Sequence, residues 1–443
     1  IAADDGPMPQ SREHLDILRL TGIAAGCVVI TKSDRVATER LQQCSEEIQN
    51  LVAQSFLHDS PIFTTSIEDA ASYTPLLEHL RAQSKHHENL QQQQPFRLAI
   101  DRSFNVKGAG VVVTGTAHSG TVNTEERLHH YPSGQLVRVR GIRTQDQEAT
   151  VAQSGERCAL NIAGLELADI QRGDWLTATP PAGYKTLSLD LQVGKSFPRA
   201  VKHWTPVHAY HATHHSQGRI ALAPGQRLEP GQTARIDLVL EEPIYCHRND
   251  RLILRDHGLD TTLGGGTLIF ADATVPHRRH DATRQQHINA YSLANAEDSL
   301  SALLQIGVID LKHFRDFWHL SAADYTTLLE KHTLHRNDDF ALSDEHWLAY
   351  KTALVKQFES QPDQALRENQ LHSAIPPTFR QPLLNELVND KILSHTGGEY
   401  RLLGQTIKLP DHLVKLWDLL EPVLAQNQAP STGDLAKRFN IAQ

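Results

Sequence analysis

Residues 27–34 read CVVITKSD, an apolar β-branched run that stops on Lys32 and Asp34. A run without polar alternation suits a short strand buried on both faces of a parallel sheet. The flanking segments agree with this. Upstream, PQSREHLDILRLTG (9–22) sets Pro9 at a helix start and Gly22 just past its end. Downstream, Leu41, Cys44, Ile48, Leu51 and Val52 recur at helical spacing. SPIFTTS (60–66) then reads as a second strand and YTPLLEHLRAQ (73–83) as another helix. Strand and helix alternate across residues 1–85, as in one half of a doubly wound α/β domain.

HHENLQQQQP (86–95) is polar and featureless, and reads as a helix end running into a linker. From Phe96 the period becomes two. Leu187, Leu189, Leu191 and Val193 alternate with Ser188, Asp190 and Gln192, and Ile236, Leu238 and Leu240 repeat the pattern. Residues 95–273 are therefore expected to form two β-barrels, 95–180 and 183–273, joined near ATPPAG (178–183). Beyond about residue 280 helices take over. LLEKHTLHRNDDFAL (328–342) and LVNDKILSHTGGEYRL (387–402) each run from a helix into a hairpin with a polar tip. This predicts tandem winged helices at 280–345 and 347–408. A third opens within 410–443, at DHLVKLWDLL with TGDLAKRFNI as its next helix, and is expected to be incomplete.

A chain of 443 residues exceeds a single hydrophobic core, and 40% hydrophobic with 21% charged residues is ordinary for a globular protein. The net charge of −9 excludes a surface that adheres to nucleic acid everywhere, so any such contact needs a local basic patch. Cys27, Cys44, Cys158 and Cys246 lie far apart, which argues against zinc knuckles and disulfides and for free thiols in a reducing cytoplasm. No apolar run is long enough to span a membrane, and no signal peptide is evident. The chain opens on IAADDG, without Met, at what reads as the end of a strand. A fragment is expected.

The residues after the first strand carry chemistry. Asp34 can accept hydrogen bonds from guanine N1–H and N2–H₂ together, a donor pair adenine lacks. The aliphatic stem of Lys32 can cover the purine face. Thr65, Ser66 and Ile67 follow the next strand and would close the base site, at strand carboxyl ends where α/β sheets bind ligands. No G-x-x-x-x-G-K-[ST] phosphate loop is present, and LGGG (263–266) is read as glycines at barrel bends. Asp4 and Asp5 are assigned to a turn, not to paired catalysis. HWTPVHAYHATHH (203–215) holds five histidines, but His208 and His211 fall on opposite strand faces with no cysteine or carboxylate beside them, so no metal site is expected. LAKRFN (435–440) reads as a solvated face.

Four features carry a family resemblance. IAADDGPMPQSREH (1–14) resembles the segment after the second switch of translational elongation factors. FRLAIDRSFNVKGAGVVVTGTAHSG (96–120) resembles the first barrel of the bacterial selenocysteine-specific elongation factor (SelB) family. RLILRD with TTLGGG (251–266) is similar to the closing strands of the second barrel, and the tandem winged helices complete the likeness.

The resemblance implies a multidomain translational GTPase: a partial α/β P-loop-type G domain, two β-barrels, then tandem winged-helix α+β domains. It implies a cytoplasmic monomer, with no membrane contact, that binds GTP and Mg²⁺. Its partners would be selenocysteyl-tRNA, the ribosome and an mRNA hairpin at a recoded UGA codon. Thr31, Lys32 and Asp34 would contact guanine, with Thr31 replacing the commoner Asn. Thr65, Ser66 and Ile67 stand where the wider group has Ser-Ala-x. Asp101 and Arg102 of IDRSF, with Arg157 of SGERCALNIAG, would form the aminoacyl pocket.

That pocket suits selenium. A selenol is far more acidic than a hydroxyl, so selenocysteine arrives as an anion while serine arrives neutral. Two arginines can bind the selenolate, and Asp101 can hold one guanidinium in place. In this family the phosphate loop, switches and Mg²⁺ ligands precede the opening motif. This stretch of chain is thus expected not to hydrolyse GTP by itself, although the intact parent would, and the truncated third module is expected to weaken hairpin binding. The competing readings are another translational GTPase and a non-enzymatic winged-helix nucleic-acid binder.

Overall fold

The computed structural model describes residues 1–84, 90–258, 261–272, 281–361, 364–371, 375–404 and 411–424. The chain divides into two compact units, one of residues 1–306 with 310–332, the other of 307–309 with the residues from 333 onward. The TGDLAKRFNI segment and residues 86–89 of the expected linker lie outside the described residues.

The first unit begins with the expected α/β layer. Strand β1 (Val28–Ile30) pairs in parallel with β2 (Ile62–Thr64), and Ala2 bridges in parallel to Thr31 on the other side. Helices α1 (Pro9–Leu20), α2 (Thr38–Val52) and α3 (Thr74–Ser84) alternate with these strands. Cys44, Ile48 and Val52 of α2 pack on Ala3, Val28 and Ile30, one apolar stripe against the sheet.

Next comes a closed barrel of β3 (Arg97–Val106), β4 (Gly110–Ser119), β5 (Arg127–Tyr131), β6 (Leu136–Thr144), β7 (Arg157–Ala163) and β8 (Trp175–Thr177). Strand β7 pairs with both β4 and β6, which closes the ring. Alternation fills its interior with Leu98, Ile100, Val113, Leu128, Val139 and Leu160. The second barrel is β9 (Gly183–Val193), β10 (Thr205–His211), β11 (His214–Ala221), β12 (Thr233–Tyr245), β13 (Arg251–Asp256) and β14 (Thr262–Asp272). Residues 178–182 connect β8 to β9 and so link the two barrels.

Two details differ from the sequence reading. Gly264, Gly265 and Gly266 sit inside β14, not at bends. A Cβ at Gly264 would lie 2.2 Å from the Gln192 carbonyl oxygen and one at Gly265 would lie 2.7 Å from Leu20, so close approach of β9 and α1 excludes side chains there. His208 and His211 do point to opposite faces, but His211 has a carboxylate partner brought from far along the chain. Its Nε2 is 3.0 Å from Asp250 Oδ2.

Asp250 is the centre of the inter-barrel contact. Arg97 of the first barrel forks onto it with hydrogen bonds of 2.8 and 2.7 Å. Burial opposes the charge on Asp250, but Arg97 and His211 override it and hold the carboxyl well below the usual range. Tyr131 donates to the Pro243 carbonyl at 2.8 Å, and Trp175 stacks on His211.

Helices α4 (Ala282–Tyr291), α5 (Ala296–Ile306), α6 (Leu311–Phe317) and α7 (Ala322–Glu330) follow. Arg248 of the second barrel donates to the Tyr291 carbonyl at 2.8 Å and lies over the Trp318 ring at 4.1 Å. In the second unit, hairpin β15 (Leu334–Asn337)–β16 (Phe340–Ser343) precedes α8 (Asp344–Ser360) and α9 (Pro377–Asn389), and hairpin β17 (Leu393–Thr396)–β18 (Glu399–Leu402) follows. Trp347, Phe358, Phe379 and Leu387 form its core. Each hairpin follows a helix in the chain. Helix α10 (Asp411–Leu424) is the last described element.

Candidate functional site

The first site is built where β1 and β2 end. Thr65 N–H donates to the Ile30 carbonyl at 2.8 Å, and Ser33 N–H to the Thr65 carbonyl at 3.3 Å, so the two loops run side by side. Lys32 takes a left-handed conformation, φ +58°, which turns the chain so that Asp34 faces the second loop. Ser66 then donates its hydroxyl hydrogen to Asp34 Oδ1 at 2.5 Å. That hydrogen bond holds the Asp34 carboxyl below its ordinary pKa. Ser66 N–H is in turn satisfied by the Ser72 hydroxyl at 3.0 Å.

Thr65 and Ser66 are buried, whereas Ile67 is 84% exposed. Lys32 Nζ lies 3.3 Å from Asp4 Oδ2, which gives the turn after Ala2 a defined task beside the loop. Thr31 continues the sheet by accepting from Ala3 N–H at 2.9 Å through its backbone carbonyl. The structure thus brings Thr31, Lys32, Asp34, Thr65 and Ser66 together, and leaves Ile67 on the open side.

The second site lies on the outer face of the first barrel. Arg157 opens β7 and donates through Nη2 to both oxygens of Asp101, at 2.8 and 3.1 Å. Thr114 on β4, the strand between them, donates to Asp101 Oδ1 at 2.6 Å. Partial burial pushes the Asp101 carboxyl up, but these hydrogen bonds and the charges of Arg157 and Arg102 outweigh it, and the group is net lowered. Arg102 is exposed on β3, directly opposite Thr114 in the ladder. Its backbone is two strand spacings, roughly 10 Å, from β7.

Beside this triplet a cavity of 960 Å³ is lined by Phe104, Thr114, Arg140, Arg143, Asn161 and Arg157, among others. Neither Asp101 nor Arg102 is on its wall. Asp101 holds Arg157 from behind. Sequence reasoning missed Thr114, Arg140 and Asn161. The signal available was strand parity, since Arg157 and Asn161 fall on one face of β7. Among the described residues no cluster of three or more His, Cys, Asp or Glu could hold a metal ion, and no helix is long and apolar enough to cross a membrane.

The comparisons with known proteins follow the same order along the chain. Residues 1–86 match the elongation factor Tu GTP binding domain, 110–177 match elongation factor Tu domain 2, and 189–274 match the beta-barrel domain of selenocysteine-specific elongation factor. A nucleotide-domain segment followed by two such barrels defines the translational GTPase class. Within it, the chain is 36% identical over 337 residues to the selenocysteine-specific elongation factor of Escherichia coli K12, covering 75% of this chain and 52% of that protein. The one from Haemophilus influenzae is 29% identical, with 94% and 66% covered.

The chain belongs to the selenocysteine-specific elongation factor family. It spans about half the length of the first curated relatives it matches. A crystal structure of bacterial selenocysteine-specific elongation factor EF-Sec shares the fold, with a TM-score of 0.76 at 20% identity over 95% of this chain and 69% of that one. The apo elongation factor SelB of Methanococcus maripaludis shares it less fully, with a TM-score of 0.54 at 22% identity over 61% and 62%.

Proposed function

We propose that the protein carrying this chain delivers selenocysteyl-tRNA to the ribosome at recoded UGA codons in a GTP-dependent cycle, with its winged helices holding an mRNA hairpin. The observation that carries this reading is the Arg157–Asp101 pair at the mouth of the first-barrel cavity. Arg157 remains 57% exposed while Asp101 is 23% exposed, so the cation is presented outward and its counter-ion is not. A selenolate docking there accepts charge-assisted hydrogen bonds from Arg157. Arg102, on β3 beyond β4, adds a second positive charge without occupying the same wall.

The guanine end of GTP fits the Asp34 loop. Ser66 occupies one lone pair of Oδ1, which leaves the rest of the carboxylate to accept from guanine N1–H and N2–H₂. Lys32 would lie against the base, Thr31 would support the loop, and the Thr65–Ser66–Ile67 segment would close the other edge. When bound, GTP with its Mg²⁺ supplies the hydrolysable phosphate and the conformational signal. The residues of these two loops orient its base. The reading places the protein in the cytoplasm.

The test is ester protection. The full-length protein with GTP should slow deacylation of selenocysteyl-tRNA and leave seryl-tRNA close to its free rate. Equal protection of both would contradict the pocket assignment, and protection of neither would contradict the delivery role.

A further inference from the structure

Asp101 sits at a break in strand register. The β3–β4 ladder pairs Ile100 with Gly115 and then Arg102 with Thr114, so Asp101 is the extra residue of a bulge. A bulge re-aims side chains. Here it puts Asp101 and Arg102 consecutively on the outer side, where strict alternation would separate them. The re-aimed carboxylate needs an anchor. Arg157 is a poor one, since it is long and its side chain is 57% exposed, and exposed ion pairs hold geometry weakly.

Thr114 is a better anchor. It stands mid-strand in a barrel wall, its β-branched side chain has few rotamers, and its hydroxyl lies 2.6 Å from Asp101 Oδ1. The same oxygen also accepts from Arg157, so one carboxylate links a fixed hydroxyl to a mobile guanidinium. Thr114 itself lines the cavity.

We infer that Thr114 is a positioning residue for amino-acid discrimination: through Asp101 it fixes the Arg157 guanidinium where an anionic side chain docks. This rests on the proposed selenolate pocket and adds a residue to it. A neutral serine hydroxyl gains only a hydrogen bond from a fixed cation, whereas a selenolate gains in addition the attraction between two opposite full charges. Loosening Arg157 therefore costs the anion more than the neutral ester.

The experiment measures deacylation protection of selenocysteyl- and seryl-tRNA by the GTP-loaded full-length protein. Thr114→Val, which keeps the shape and removes the hydroxyl, should lower the preference for selenocysteyl-tRNA by roughly 5- to 10-fold. The loss should fall on selenocysteyl-tRNA alone. Thr114→Ser should restore the preference to within about twofold. In an Asp101→Asn background, Thr114→Val should change nothing further, because the route through Asp101 is already broken.

An unchanged preference in Thr114→Val, an equal loss for both tRNAs, or failure of Thr114→Ser to restore would each overturn the inference. Absence of any preference in the unaltered protein would overturn the pocket itself. A preference that survives Thr114→Val would overturn only the role of Thr114.

Discussion

Ser66 and Asp34 lie 32 residues apart and are joined by a hydroxyl–carboxylate hydrogen bond of 2.5 Å between two loops. The bond ties the carboxylate to a buried serine. It sets the carboxylate plane and lowers the cost of ordering it on binding. Ser66→Ala should weaken guanine-nucleotide binding by roughly 5- to 20-fold, with no gain in adenine binding. Titration with a fluorescent GDP analogue checks this. Unaltered affinity would mean that the bond contributes nothing to recognition.

Asp34→Asn exchanges a pure acceptor for a donor–acceptor pair. Guanine then loses its partner for the N2 amino group, while xanthine, with a carbonyl at that position, gains a donor. The variant should bind xanthosine nucleotides more tightly than guanosine nucleotides. Competition between the two against a labelled nucleotide reads the switch directly.

The Arg97–Asp250 pair spans 153 residues and joins the two barrels. Arg97→Leu leaves Asp250 buried with His211 and the His247 backbone N–H beside it but without its guanidinium. Removing one partner of a buried pair costs about 3–5 kcal/mol. Denaturant unfolding followed by tryptophan emission, to which the buried Trp175 contributes, should show a loss of that size. A change within error would assign the inter-barrel contact to apolar packing alone.

His319 supplies a pH dependence. It is buried after α6, donates through Nε2 to the Pro95 carbonyl at 2.8 Å, lies 2.8 Å from Ser119 Oγ, and has its ring tilted against that of His247 with centroids 4.1 Å apart. Burial, then the charge of Arg97, lowers its pKa from 6.5 to about 3, against a smaller opposing effect of Asp250. Above pH 6.5 the unfolded ring is neutral too, and the full stability is present. Below that, the unfolded chain takes up a proton that the folded state refuses until about pH 3. Stability therefore falls by about 1.4 kcal/mol per pH unit through this window on account of His319. His247, also pushed well down by burial, acts with the same sign. Comparing His319→Gln with the parent between pH 7 and about 4.5 isolates the one residue, and the variant should show the shallower slope.

Much of this was legible because it is local. The run at Cys27–Ile30, the helical spacing from Leu41 to Val52 and the two-residue period of β9 each report burial within one element. The positions of Lys32 and Asp34 followed from where a strand stops. The rest depends on register between distant strands. Arg97 meets Asp250, and His211 finds its carboxylate, only after both barrels close. Thr114 reaches Asp101 only because a bulge offsets one ladder by a residue, which leaves no periodic mark in the sequence. Gly264–Gly266 looked like bends because glycine signals both turns and close approach, and only the neighbouring strand and helix decide between them.

Arg157 carries the central claim. In the full-length protein with GTP, Arg157→Ala should erase the difference in deacylation protection between selenocysteyl-tRNA and seryl-tRNA, while GTP affinity stays at the parent value. If the variant still protects selenocysteyl-tRNA selectively, the cation that Asp101 presents at the cavity is not what recognises selenium.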